Sequence, residues 1–143
     1  MSLPIKIDPA SGREEAGPIK PDELSAGLGN VSTFQAGETL GGHKAVYVSG
    51  GQAFLADYSD ADQAGRIVGM TMHSATAGED VEVKIAGTLN LQSWGLLPGT
   101  VYFLASSGNL TATPPSATGF IQKIGVARDS NNLEINISYP ILL

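Results

Sequence analysis

Cysteine is absent from this sequence of 143 residues, and that absence excludes several kinds of chemistry. A chain without cysteine forms no disulfide, binds no metal through thiolates and offers no cysteine nucleophile. Its fold must therefore be stabilised by a hydrophobic core, and its length is that of one domain with such a core.

Basic residues are scarce as well. Eight lysines and arginines stand against fourteen acidic residues, and the formal net charge is −6. A protein that binds duplex nucleic acid uses Lys and Arg to neutralise phosphates, so we expect no nucleic-acid partner. Charged residues of both signs make up only 15% of the chain. Much of the surface is therefore uncharged, as the centres of protein–protein contacts are.

Long apolar runs are missing too. None approaches the roughly 20 residues needed to cross a bilayer, so we expect no membrane partner. The first residues, Met1–Lys6, do not contain a basic region followed by an apolar run, and no signal peptide is predicted. The expectation is a soluble protein that is made and assembled in a cytoplasm.

Turn residues are plentiful, and they separate short strand-like runs. Eighteen glycines and eight prolines interrupt the sequence at short intervals. Residues 80–86 (DVEVKIA) alternate apolar and polar side chains, which is typical of a strand with one buried face. Gly50 and Gly51 lie between two strand-like runs and predict a hairpin, because both central residues of a type I′ turn need positive φ.

About nine such strands follow one another between residues 37 and 143, and no segment predicts more than one helical turn. The sequence therefore predicts an all-β fold for residues 37–143, a compact antiparallel β-barrel or sandwich.

Residues 1–36 have a different character. Pro4, Pro9, Pro18 and Pro21 discourage a helix or a central strand, and apolar residues occur singly between them. We predict an extended N-terminal arm over residues 1–36 that becomes ordered on a neighbouring subunit or another partner. A disordered tail is the alternative interpretation.

Three aspartates lie close together at positions 57, 60 and 62, and carboxylate oxygens are the ligands that calcium prefers. A calcium loop of the helix–loop–helix type also needs a mid-loop glycine and a late bidentate glutamate, and the spacing here does not provide them. Aspartates in turns commonly accept hydrogen bonds from their own backbone. We therefore predict that these residues cap turns and that the chain has no metal site.

Residues suited to catalysis are equally sparse. His43 and His73 are the only histidines, and neither has a second ligand at i+2 or i+4. Ser49 is explained by the hairpin rather than by the strained turn of a serine nucleophile. Residues 27–30 (GLGN) lack the Lys-Ser or Lys-Thr that follows a phosphate loop. We predict no catalytic residue, no cofactor and no enzymatic activity.

The side chains best suited to contact a partner are isolated apolar residues of the arm and one aromatic residue near a Pro-Gly turn. They are Ile5, Ile7, Ile19, Leu24, Leu28, Phe34 and Trp94. Single aromatic residues on strands usually belong to a core. The turn makes Trp94 the aromatic candidate for the surface.

Residues 37–143 also carry an ordered series of short motifs. They are Ala86–Leu89 (AGTL), Trp94, Leu97–Leu104 (LPGTVYFL), Gly108–Thr111 (GNLT), Ile124–Ala127 (IGVA) and Leu133–Ile137 (LEINI). This series resembles small structural proteins of tailed-bacteriophage virions, in particular capsid decoration (cement) proteins and β-barrel proteins of head or tail fibres. The resemblance covers residues 37–143 and does not extend to residues 1–36.

The resemblance implies a homotrimer of compact β-barrels on the capsid exterior of a virion, at the junctions between shell subunits. The major capsid protein would be the partner, and the N-terminal arm would reach across a neighbour. The expected function is that of a non-enzymatic capsid decoration protein that stabilises the head and is assembled in the host cytoplasm. The alternative is a tail-fibre or baseplate module that binds a host cell-surface glycan, with Trp94 and nearby aromatic residues as the stacking surface.

Overall fold

The computed structural model describes residues 30–143, which form twelve strands and a 3-10 turn at Ala61–Gln63. The strands are β1 (Val31–Ala36), β2 (Ala45–Ser49), β3 (Gln52–Leu55), β4 (Ile67–Thr71), β5 (Asp80–Lys84), β6 (Gly87–Asn90), β7 (Val101–Leu104), β8 (Leu110–Thr111), β9 (Phe120–Ile121), β10 (Lys123–Ala127), β11 (Asn132–Ile135) and β12 (Ile141–Leu142). The predicted all-β fold is confirmed. The structure has three strands more than the nine expected, because β1 lies in the segment predicted to be an arm and β9 and β12 are only two residues long.

Strands β1 to β5 form a closed barrel in the order β1-β3-β2-β4-β5. The hairpin between β2 and β3 is confirmed, with φ values of +60° at Gly50 and +79° at Gly51. Strand β1 pairs with β3 in parallel, a departure from the expected antiparallel pattern. Its last residue, Ala36, donates its N–H to the Glu79 carbonyl at 2.8 Å and thereby meets the segment before β5.

The boundary predicted between arm and domain is corrected by β1. Residues 31–36, which the prediction assigned to the arm, lie inside the barrel. The glycine at position 37 suggested a domain start, but it has a packing role: a Cβ there would lie 2.4 Å from the Phe54 ring. Residues 1–29 of the predicted arm lie outside the described residues.

A second sheet follows the barrel in the chain. It is antiparallel, with five strands in the order β6-β11-β10-β7-β8, and β9 and β12 form a separate pair. The register of β10 against β7 shifts between Lys123 and Gly125. At that point β10 approaches β11 closely, since a Cβ on Gly125 would lie 2.3 Å from the Glu134 carbonyl oxygen.

Two clusters of buried side chains stabilise this arrangement. The first consists of Ala36, Leu40, Val46, Ala53, Ala75, Val81 and Val83, all contributed by the barrel and its loops. The second joins barrel residues to the second sheet, and its members are Ala45, Ala56, Ile67, Met70, Leu89, Leu96, Tyr102, Leu104, Phe120, Ile124, Ala127, Leu133 and Ile135. Because successive side chains of a strand face opposite sides, the adjacent residues Ala45 and Val46 belong to different clusters. The barrel therefore has one cluster of its own and shares the other cluster with the second sheet.

Candidate interaction surface

A groove with a volume of about 770 Å³ lies where the barrel meets the segment after β11. The barrel side is formed by β1, β4 and the residues that follow β5, and the opposite wall is formed by residues 136–140. The lining consists of Phe34, Gly65, Ile67, Val68, Ile85, Ala86, Gln122, Ile135, Asn136, Ile137, Ser138, Tyr139 and Pro140. Most of these side chains are apolar, so the groove suits an apolar occupant.

Gln122 is the buried polar side chain of this lining. It stands between β9 and β10, and only 3% of its surface is exposed. Its Nε2 donates a hydrogen bond to the Ser138 carbonyl at 2.7 Å. Ser138 in turn accepts a hydrogen bond on its Oγ from the Lys123 backbone N–H at 3.1 Å. These bonds attach residues 136–140 to the beginning of β10 and so fix one wall of the groove.

The side-chain oxygen of Gln122 differs from its nitrogen in its hydrogen bonding. Oε1 of Gln122 is buried and has no hydrogen-bond partner among the described residues. Buried polar atoms in folded proteins nearly always have a partner.

Next to the groove the chain presents a run of exposed apolar side chains, Tyr139–Leu143, which we call the apolar segment. The exposed fractions are 93% for Tyr139, 60% for Ile141, 66% for Leu142 and 48% for Leu143. Among residues 30–143 its strand, β12, pairs with β9 alone, so within this part of the chain the other edge of β12 is open. Contiguous exposed apolar residues of this kind are typical of protein–protein contact sites.

Two of the seven contact residues predicted from the sequence lie within the part of the chain that the structure describes. Ile5, Ile7, Ile19, Leu24 and Leu28 lie outside the described residues. Phe34 lies on β1, where it packs against the barrel cluster and lines the groove. Trp94 is half-buried and packs against the second cluster. Its ring meets the His43 ring edge-on, with 5.5 Å between the centroids and an interplanar angle of 72°.

The sequence analysis did not identify the apolar segment. Of the groove residues it identified Phe34 alone. The groove brings together residues as distant in the chain as Phe34 and Pro140, and no local pattern reveals such a meeting. The apolar segment did carry a signal. Its five residues, YPILL, contain no charged side chain. Successive side chains of a strand face opposite sides, so a run of apolar residues cannot place every side chain in the core.

The predicted role of the aspartates at positions 57 and 60 is confirmed. Asp57 accepts hydrogen bonds on Oδ1 from the Ser59 N–H at 2.9 Å and the Ser59 hydroxyl at 2.6 Å. Asp60 caps the 3-10 turn by accepting from the Asp62 N–H at 3.0 Å. Burial alone would raise the pKa of Asp57, but the bonds from Ser59, joined by the Ser107 N–H, lower it. The Asp57 carboxylate thus stabilises the loop after β3.

The other titratable side chains do not form a cluster suited to metal binding within residues 30–143. His73 is exposed, and its Nε2 accepts a hydrogen bond from the Glu82 N–H at 3.2 Å. Within residues 30–143, no three His, Asp or Glu side chains are grouped so as to hold a metal ion. The same part of the chain contains no helix long and apolar enough to cross a membrane. Comparison of the sequence with protein-family models and with curated proteins gives no match.

Proposed function

We propose that this protein is a structural component of a tailed-bacteriophage virion. In this proposal it is a capsid decoration protein that binds the outer surface of the head as a homotrimer and stabilises the shell. The observation that carries the proposal is the apolar segment beside an apolar groove, on a domain whose barrel and second sheet share a buried cluster. Such a surface suits a lasting contact with protein. The sequence resemblance of residues 37–143 supplies the partner, the major capsid protein.

The proposed mechanism is added contact area. Each trimer bridges neighbouring shell subunits, and the apolar surface that it buries there stabilises the shell. A rigid β-domain loses little conformational freedom when it binds, so more of this gain remains as affinity. Residues 1–30, with their separate isoleucines and leucines, extend the contact across a neighbouring shell subunit.

The glycan-binding alternative has less support from the described residues. A sugar stacks on the open face of an aromatic ring, and the alternative assigns that role to Trp94. Trp94 instead packs against the core and against His43. We therefore place the functional surface at the groove and the apolar segment.

The proposal is tested on virions of the phage that encodes the protein. The expected result is that the protein is found in purified heads, and that heads lacking it release their DNA at a lower temperature than complete heads. Addition of the purified protein should restore the release temperature. Heads of equal stability with and without the protein, or a protein found only on tails, would contradict the proposal.

A further inference from the structure

We propose that the groove receives the apolar segment of a second copy of this chain. The three copies of the proposed trimer would then be held together by apolar segments that each occupy a neighbour's groove. This inference rests on the self-association in the proposed function and deepens it by assigning the surface that makes the contact.

The two surfaces match in chemistry. The groove presents apolar side chains from both walls, among them Phe34, Val68, Ile85 and Ile137. The apolar segment offers Ile141 and Leu142, with 60% and 66% of their surfaces exposed. Isolated large apolar side chains are common on protein surfaces, but contiguous ones beside an apolar groove are not. Seating one in the other removes both surfaces from water.

The two surfaces also lie side by side on the same molecule. Tyr139 and Pro140 form part of the groove wall, and Ile141–Leu143 follow them directly in the chain. A contact between two different patches of identical copies forms a closed ring only when the rotation between copies closes. In a closed ring each copy places its segment in one neighbour, and its own groove receives the segment of the other.

Hydrogen bonding favours a peptide segment as the occupant. Among residues 30–143, β12 pairs with β9 alone, so the backbone N–H and C=O groups of its other edge have no partner strand in that part of the chain. An edge of this kind readily pairs with a strand of another chain.

The inference is tested by the native mass of the full chain, measured by light scattering after size exclusion over a series of concentrations. Two variants address the two surfaces. Ala86→Arg places a long charged side chain on the groove wall, and Leu142→Asp places a charge on the apolar segment. Each has a control at an exposed residue outside the groove and the segment, Ala112→Arg and Leu97→Asp. Leu97 is 62% exposed, close to the 66% of Leu142.

The expected result is a wild-type mass of three times the 14.7 kDa chain. Ala86→Arg and Leu142→Asp should each lower the mass toward one chain, and the two controls should keep the trimer. Circular dichroism and thermal unfolding should show folded protein in all four variants, since every substituted residue is at least partly exposed in the single chain.

Several results would overturn the inference. A trimer that survives both Ala86→Arg and Leu142→Asp places the interface elsewhere and leaves the proposed function standing. A wild-type monomer that still binds heads also overturns the inference but leaves head binding standing, and the groove is then assigned to the capsid protein. A trimer lost on removal of residues 1–29 but retained in Leu142→Asp assigns the groove to the N-terminal residues. A trimer that behaves as expected but fails to bind heads supports the inference and contradicts the proposed function instead.

Discussion

The side-chain amide of Gln122 donates to the backbone carbonyl of Ser138 at 2.7 Å, and this bond joins the beginning of β10 to the wall of the groove. The geometry requires a donor at that position, because the Ser138 oxygen only accepts. The side chain that supplies the donor is 97% buried, given its 3% exposure. A residue at position 122 that cannot donate a hydrogen bond therefore leaves the Ser138 oxygen without this partner and weakens the groove wall.

Gln122→Glu replaces the buried donor by a carboxylate that faces a carbonyl oxygen. Burial and this repulsion raise the pKa of the new carboxyl in the folded state. The variant should therefore be about as stable as the wild type below the unfolded glutamate pKa of about 4.3, where the protonated carboxyl donates to Ser138. Stability should be lost as the pH rises through the raised folded pKa, by about 3 kcal/mol at neutral pH. Urea unfolding at acid and neutral pH measures this difference.

Gln92→Glu is the matched control, since Gln92 is exposed in the turn after β6. It should show little change in the free energy of unfolding at either pH. Equal behaviour of the two variants would mean that the bond between Gln122 and Ser138 does not stabilise the groove wall.

Gly69→Ala tests the close approach of β4 and β5. A Cβ at this position would lie 2.1 Å from the backbone carbonyl oxygen of Lys84, so the two strands must separate to admit it. We expect a loss of about 1–3 kcal/mol, the usual cost of overpacking a core. Gly41→Ala is the control, because its nearest atoms are 3.5 Å away on the flexible Lys44 side chain. Denaturant midpoints that move equally for both variants would rule out the predicted strand contact.

Asp57→Asn tests the loop after β3. The folded pKa of Asp57 is lowered, so the carboxylate contributes stability above the unfolded aspartate pKa of about 3.9. That contribution is lost as the pH falls through the lower folded pKa. The variant should therefore have a lower Tm than the wild type at neutral pH, and the gap should close in acid.

Asp80→Asn, at the exposed start of β5, is the control for Asp57→Asn. It should leave the Tm nearly unchanged across the same pH range. A gap between wild type and Asp57→Asn that widens in acid would have the wrong sign and would refute the assignment.

Features set by neighbouring residues were predictable from the sequence. The β2–β3 hairpin follows from two consecutive glycines, because few other residues adopt positive φ twice in succession. Strand β5 follows from alternation, and its buried residues Val81 and Val83 lie on the face expected. The capping by Asp57 and Asp60 follows from the ability of an aspartate side chain to bond its own backbone.

Features that depend on distant pairing were not predictable in the same way. The parallel contact between β1 and β3 joins Gln35 to Gln52 and Ala36 to Ala53, although β2 lies between these two strands in the sequence. Its register is visible only in the folded chain. The groove has the same origin, since its walls come from β1, β4 and the residues around β5 and β11. The surroundings of Trp94 likewise depend on His43, which is far away in sequence.

Binding to heads tests the central claim most directly. Heads that lack the protein are mixed with the purified chain and sedimented, and the amount bound is measured against the amount of major capsid protein. The account predicts saturable binding that levels off at three bound copies for each junction between shell subunits. A chain that stays in the supernatant at every concentration, although folded, would contradict the account.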